Sequence, residues 1–437
     1  MSPSVSVPVL HPLSVLYVAA SLEPLHLPIT QVQALRSFPP TAFSITLILC
    51  ICCWLNLTLS FRRGVTESLS NFTISAIHLP QQCHFDIVKT PLMAFRIGIS
   101  HDFSIDAKGR YEASIAQIFG SNSKLKIELM PPAENDTPTT EQLDSYDGIL
   151  ALAIRLDSSN LNGLKRLGIV ARWGVGFDRI DTSLLSANGA VLAITPNAVR
   201  RPVAEAAIAL VFATTLNLVV QHKIVEASRW RNALPGLGRN IAGRTLGSIG
   251  LGNIASEMFR LSTSLGFGHF IAHDPYASSE AAAKLNVKLV SLEELARQSD
   301  FLCVHCSLSE STRGIVDRKL LRLMKPTSIL INTARGPIVN EADLVVALNE
   351  GWIAGAGLDV FEIEPLPADA PIRSCPNVIM APHGLAWTEE LARDNSLEAA
   401  SNLLAFSEGR LPGGIVNKEV LDNPAFLAKL QRWSNQV

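Results

Sequence analysis

The stretch that most constrains this chain is Gly250-Leu251-Gly252-Asn253-Ile254-Ala255, because of what flanks it. Thr245 to Ile249 reads as a short strand and Ile254 to Leu265 as a helix, so the glycines fall in a strand-to-helix turn. Gly250 permits the tight turn, and Gly252 lets the backbone approach a pyrophosphate. Ala255 stands where a third glycine would serve helix–strand packing, a place that tolerates a methyl group. Free N–H groups and the dipole at the helix N-terminus favour the negative charge of such a group. This turn commits the surrounding chain to a βαβ unit in a parallel sheet.

A second strand, His269 to His273, ends at Asp274, about 20 residues beyond Gly252, the spacing of a ribose-binding acid. A carboxylate there accepts hydrogen bonds from ribose hydroxyls and repels a 2′-phosphate, so NAD is favoured over NADP as cofactor. Further apolar runs alternate with helical stretches: Phe301 to His305, Ser328 to Asn332, Ala354 to Asp359 and Val378 to Met380. That rhythm is a parallel sheet with crossover helices. In such sheets ligands bind beyond the carboxyl ends of the strands. Arg335, Glu364 and His383 each follow one of these strand ends and can converge on one crevice despite their sequence separation.

The three groups suit one reaction. A planar guanidinium can hydrogen-bond both the carboxylate and the adjacent carbonyl of a 2-oxo acid. Hydride addition to that carbonyl makes its oxygen basic, so a proton donor must lie within hydrogen-bond reach. Imidazolium is a suitable donor near neutral pH, and a neighbouring carboxylate favours its charged form and fixes its ring. The reading is therefore Arg335 as substrate clamp, His383 as acid/base and Glu364 as its partner.

Several motifs in order resemble the D-isomer-specific 2-hydroxyacid dehydrogenases. They are Trp173-Gly174-Val175-Gly176-Phe177-Asp178, Val203-Ala204-Glu205, Asn332-Thr333-Ala334-Arg335-Gly336-Pro337, Gly357 through Pro365, and Ala381-Pro382-His383-Gly384. The resemblance runs from about Met93 to Val437. It implies reversible NAD(H)-dependent reduction of a 2-oxo acid to a D-2-hydroxy acid, with Arg335, Glu364 and His383 catalytic. It implies that Asn253 and Ile254 contact the cofactor alongside Gly250, Gly252 and Asp274. Thr333, Ala334 and Asp359 match residues around the nicotinamide, with Asp359 bonding its carboxamide. Gly174, Val175 and Gly176 match the loop whose N–H groups hold the substrate carboxylate, although a Gly-x-Gly loop is also simply a turn. A homodimer is implied by the same likeness.

Two departures bear on function. His305-Cys306-Ser307-Leu308 replaces a more usual His-x-Pro-Leu, and Trp387 follows Gly384-Leu385-Ala386 where the family has a glycine-rich stretch. Both resemble the C-terminal-binding-protein branch, which keeps a second reading open: a nucleotide-sensing, corepressor-like interaction protein on the same scaffold. Trp387 either closes a pocket around an apolar side chain or is ordinary core.

The expected fold is α/β, a Rossmann dinucleotide-binding domain (202–386) inserted in a smaller flavodoxin-like substrate domain (93–201 and 387–437). Strands are expected near Phe95 to Ser100, Leu125 to Met130, Gly148 to Leu152, Leu167 to Ala171 and Val191 to Ile194. A long helix, Val203 to Val219, leads into the dinucleotide half, and a helix from about Thr388 to Ser407 returns. The net charge of −2 over 437 residues, without a basic cluster, gives no surface for nucleic acid. Cys303 and Cys306 form a Cys-x-x-Cys on an expected buried strand and read as reduced core thiols, with no metal site.

Residues 1–92 fit none of this and are expected to lie outside the fold. Ala42 to Phe61 is an uncharged run of bilayer length followed by Arg62 and Arg63. It is either a membrane anchor or, as favoured here, part of a stretch upstream of a true start at Met93, which leaves a cytoplasmic enzyme. Asn56 and Asn71 stand in glycosylation-acceptor patterns that mean little without secretion.

Overall fold

The structure, a computed structural model, describes residues 94–434. The run 42–61, Asn56, Asn71, Cys50, Cys52, Cys53, Cys83 and Met93 lie outside the described residues. Strands β1 (Phe95–Ile99), β2 (Leu125–Leu129), β3 (Gly148–Ala151), β4 (Ile169–Arg172) and β5 (Val191–Ala193) form a sheet in the order β2-β1-β3-β4-β5, all pairs parallel. Strands β6 (Thr245–Ile249), β7 (His269–His273), β8 (Val287–Leu289), β9 (Phe301–Val304), β10 (Ile329–Asn332), β11 (Gly355–Leu358) and β12 (Val378–Met380) form a second parallel sheet, ordered β12-β11-β10-β9-β6-β7-β8. The first order is flavodoxin-like. The second is the doubly wound Rossmann order, whose direction switches between β6 and β9. Helices on both faces bury β3, β9, β10 and β11 along their whole lengths, which is why these strands read as continuous apolar runs rather than alternating ones. The three-residue edge strand β8 carries too little pattern to be read from sequence.

The helix Pro196–Thr215 belongs to both halves. Val199 and Ala206 enter the core beside the five-stranded sheet, whereas Ala204, Ala207, Leu210 and Val211 enter the core beside the seven-stranded one. It starts at Pro196, not at Val203, so the expected boundary between 201 and 202 falls inside it. Pro196 is pre-organised for the first turn, and the helix tolerates Pro202 in its interior. It also stops short of Val219. Asn217 takes the left-handed conformation at φ 54°, which Asn adopts more readily than most residues, and a separate helix, Leu218–Glu226, follows.

The returning helix, Glu389–Ser407, is capped by the Thr388 hydroxyl, which accepts the Leu391 N–H. It buries Leu391, Ala399, Leu403 and Phe406 in one core with Phe95, Ile97, Leu150 and Ile169 of the first sheet. Among the described residues no single helix is long and apolar enough to cross a membrane.

Candidate active site

Arg335, Glu364 and His383 leave the carboxyl ends of β10, β11 and β12 and line one cavity of about 1590 Å³. Trp173, Val175 and Gly176, beyond the end of β4, line it from the other sheet. The Glu364 Oε2 lies 2.8 Å from His383 Nδ1, and its Oε1 accepts the Phe361 N–H at 2.9 Å. Burial pushes the Glu364 carboxyl up, but the bond to His383, its charge and the Phe361 N–H outweigh that and hold it below the ordinary value. An ionised carboxylate makes Nδ1 the donor, so Nε2 is the ring atom left for a ligand.

His383 sits at φ 52°, in the left-handed region, a conformation that costs a non-glycine residue about 1–3 kcal/mol. The turn after it is held by Asp359, whose Oδ1 accepts the N–H groups of Gly384 and Leu385 at 3.0 and 3.2 Å. Burial raises the Asp359 carboxyl and those two N–H groups oppose the rise. Asp359 lines the cavity, and its carboxylate is committed to this turn.

Arg335 donates from Nε to Asp178 Oδ1 and from Nη1 to the Ala334 carbonyl, both at 2.7 Å. Its Nη2 faces Gly176, where an added Cβ would lie only 1.3 Å away. The Gly174-Val175-Gly176 loop needs one correction. The Gly174 N–H donates to the Thr195 Oγ1 at 2.9 Å and lies 3.0 Å from the Arg172 carbonyl, so it faces the fold and not a substrate. The Val175 and Gly176 N–H groups make no hydrogen bond among the described residues and are the pair left for a carboxylate. The returning helix anchors the loop. Thr195 Oγ1 donates to Asn395 Oδ1 at 2.6 Å, and Trp173 Nε1 to Ser396 Oγ at 2.9 Å, both within the core.

Sequence reasoning assigned no role to two charged residues here. Arg172 donates from Nε to the Gly176 carbonyl at 3.0 Å and from Nη1 to the Trp173 carbonyl. Burial, with Arg335 nearby, pushes it down to about 10. Asp178 was part of a motif only. The one available signal, an acid just after a Gly-x-Gly loop, does not say which cation it meets.

The residues fit a dinucleotide. Gly250 holds φ 94°, and a Cβ there would come within 2.9 Å of the Cys306 backbone nitrogen, so the turn and the loop after β9 touch at the switch point. Gly252 is the N-cap of the helix Asn253–Ser262, with nothing within 4 Å of a built Cβ. Asp274 is tied to the turn, its Oδ2 accepting the Leu251 N–H and its Oδ1 the Tyr276 N–H, both at 2.8 Å. The Thr333 hydroxyl is buried without a partner beside Ala334 in the cavity wall, a vacancy of polar pairing that a carboxamide or ribose would fill. Ile254, Thr333, Ala334 and Asp359 line the cavity, while Gly250, Gly252, Asn253 and Asp274 lie outside its wall at the adjoining turn. Burial pushes the Cys303 thiol up to about 12 and the Cys306 thiol up to about 11, which keeps both protonated and unreactive.

Comparison with known proteins agrees with this architecture. Residues 208–384 match the model of the D-isomer specific 2-hydroxyacid dehydrogenase, NAD binding domain. A glyoxylate reductase of Aeropyrum pernix is 37% identical over 297 residues, 67% of this chain and 88% of the relative. One of Korarchaeum cryptofilum is 35% identical over 285 residues, 64% of this chain and 86% of the relative. The crystal structure of a glyoxylate reductase from Paecilomyes thermophila superposes with a TM-score of 0.64 at 27% identity, covering 74% of this chain and 99% of the other. The chain belongs to the D-isomer-specific 2-hydroxyacid dehydrogenase family. Within that class it is an NAD-dependent dehydrogenase acting on small 2-oxo or 2-hydroxy acids.

Proposed function

We propose that the chain reversibly reduces a 2-oxo acid to the D-2-hydroxy acid with His383 and Glu364 as the acid/base pair and Arg335 as the substrate clamp. The observation that carries this reading is the His383 Nδ1–Glu364 Oε2 pair, 2.8 Å long, in the same cavity wall as Arg335. The substrate carboxylate is received by the Val175 and Gly176 N–H groups and the Nη2 edge of Arg335, which also reaches the 2-oxo oxygen. Bound NADH supplies the hydride to the substrate carbon. Thr333, Ala334, Asp359 and Ile254 enclose the nicotinamide half, and Gly250, Gly252, Asn253 and Asp274 hold the pyrophosphate and ribose. His383 places its Nε2 proton at the carbonyl oxygen, and Glu364 compensates the imidazolium in reduction and orients the ring in both directions.

The same reading makes the five-stranded half with the returning helix the substrate domain and the seven-stranded half the cofactor domain, with the chain acting as a homodimer. The exposure of Val225, Trp230 and Leu237, at 60%, 65% and 91%, supports a contact of that kind. NADH oxidation by the full-length protein against a panel of 2-oxo acids, glyoxylate first because the relatives bear its name, tests the chemistry. Turnover that collapses in His383→Ala supports the reading. Tight NADH binding with no turnover of any acid overturns it.

A further inference from the structure

Asp178 lies on the loop after β4, and Arg335 follows β10, so the bond between them joins the two sheets of the molecule across 157 residues of sequence. It is the one acidic side chain bonded to Arg335 among the described residues. The other bond of that guanidinium goes to the carbonyl of its own neighbour, Ala334. We propose that Asp178 is a positioning residue for the substrate clamp: it fixes Arg335 through Nε so that the Nη2 edge is presented to the carboxylate of a 2-oxo acid bound at the Val175–Gly176 N–H groups. This inference rests on the dehydrogenase reading above.

Three features of the site support it. Gly176 has no Cβ, and Arg335 Nη2 occupies the space that one would fill, so the guanidinium and the loop are already in register for a shared anion. Arg172, braced on the Gly176 and Trp173 carbonyls, brings a second guanidinium to the same loop, and Asp178 interacts electrostatically with both arginines. Without the carboxylate the two cations would repel each other, and Arg335, its side chain only 24% exposed, would have to leave its place or lose its fixed orientation. An arginine held by Nε keeps its outer face for a ligand, which is the geometry in which a planar fork binds a carboxylate. Since the holder and the held residue belong to different sheets, the clamp is set when the two halves are in register. Asp178 itself touches no reacting atom in this scheme.

The test uses full-length Asp178→Asn and Asp178→Glu beside wild type. It measures kcat and KM on the 2-oxo acid that wild type turns over best, NADH affinity by fluorescence, and oxamate affinity of the NADH complex by quenching. The expected result for Asp178→Asn is a rise in KM and in oxamate Kd of roughly ten- to a hundredfold, the worth of one charge-assisted hydrogen bond. NADH affinity stays unchanged, and Asp178→Glu recovers part of the loss. Should the Asn variant not fold, the Glu variant carries the test, with a smaller rise in both quantities. Unchanged KM and oxamate Kd overturn the assignment, and tighter binding would make Asp178 a competitor of the substrate instead of a positioner. Wild type that neither turns over an acid nor binds oxamate overturns the dehydrogenase reading itself and this inference with it.

Discussion

The Glu364 carboxylate orients His383 with one oxygen, at 2.8 Å, while the Phe361 N–H holds its other oxygen at 2.9 Å. The imidazole is thus referred to the backbone of the loop after β11 through a single side chain. Loss of the charge affects both activity and stability. Glu364→Gln is expected to lower kcat on the order of 10²-fold or more, the scale of acid–base assistance. The folded-state carboxyl titrates below its ordinary value. Its stabilising contribution is therefore complete above the unfolded value of about 4.3 and is lost as pH falls through the lower folded one. Melting curves from neutral to acidic pH should show a wild-type advantage over Glu364→Gln at pH 7 that closes below about pH 4. A gap independent of pH would show that the charge is not its source.

Gly176 and Gly336 are both crowded, with different consequences. A methyl at Gly176 meets the tip of Arg335, which can swing aside, whereas one at Gly336 would lie 1.9 Å from the Phe361 carbonyl carbon and oxygen. Gly176→Ala is expected to keep its melting temperature and lose on the order of 10²-fold in kcat/KM by displacing the clamp. Gly336→Ala should lose more than about 3 kcal/mol of stability, because backbone cannot yield as a side chain does. Denaturant unfolding and steady-state kinetics on the two proteins separate the cases.

Asp274 carries the choice of cofactor. Asp274→Asn keeps acceptors for the Leu251 and Tyr276 N–H groups but removes the charge that repels a 2′-phosphate. The ratio of kcat/KM for NADH over NADPH should fall at least tenfold, equivalent to about 1.4 kcal/mol. A ratio that does not move would place discrimination elsewhere in the turn.

Trp387 stands edge-on to Trp173 at 5.5 Å between ring centroids, with the Arg110 guanidinium 5.6 Å from its ring centroid, and it lines the cavity. It is therefore a wall and not buried core. Trp387→Ala should enlarge the space beyond the reacting carbon and shift preference toward 2-oxo acids with bulkier side chains. The gain for the bulkier acid relative to glyoxylate is expected to be about tenfold, within the ~1–3 kcal/mol that a hydrophobic pocket discriminates. Competition between the two acids in one reaction mixture reads that ratio directly.

What could be read from the sequence was whatever local pattern encodes. The buried strands announced themselves as apolar runs, and Gly250, Asp274, Arg335, Glu364 and His383 stood out because each sits just past a strand. Other features depend on partners distant in the chain. Nothing near Gly174 says that Thr195 takes its N–H, because that bond depends on how β5 pairs with β4. Asp178 and Arg335 are likewise joined only by the assembled fold. The early start of the helix at Pro196 was hidden because two prolines in its first turns look like loop. The break at Asn217, just beyond its end at Thr215, was hidden by apolar residues on both sides, Leu216 and Leu218.

That shared helix also governs how the molecule can be divided. A fragment cut at residue 202 would begin within the helix and leave Val199 attached to the other piece, so neither product would inherit an intact core. A graft that exchanges one cofactor half for another must carry the whole Pro196–Thr215 segment and match two packing surfaces at once. The seams that leave the helix whole are therefore at Thr195, before the helix begins, and after the turn that carries His383. A chimera joined there keeps Ala204, Ala207, Leu210 and Val211 with their own neighbours, while Val199 and Ala206 must fit the other parent's five-stranded half.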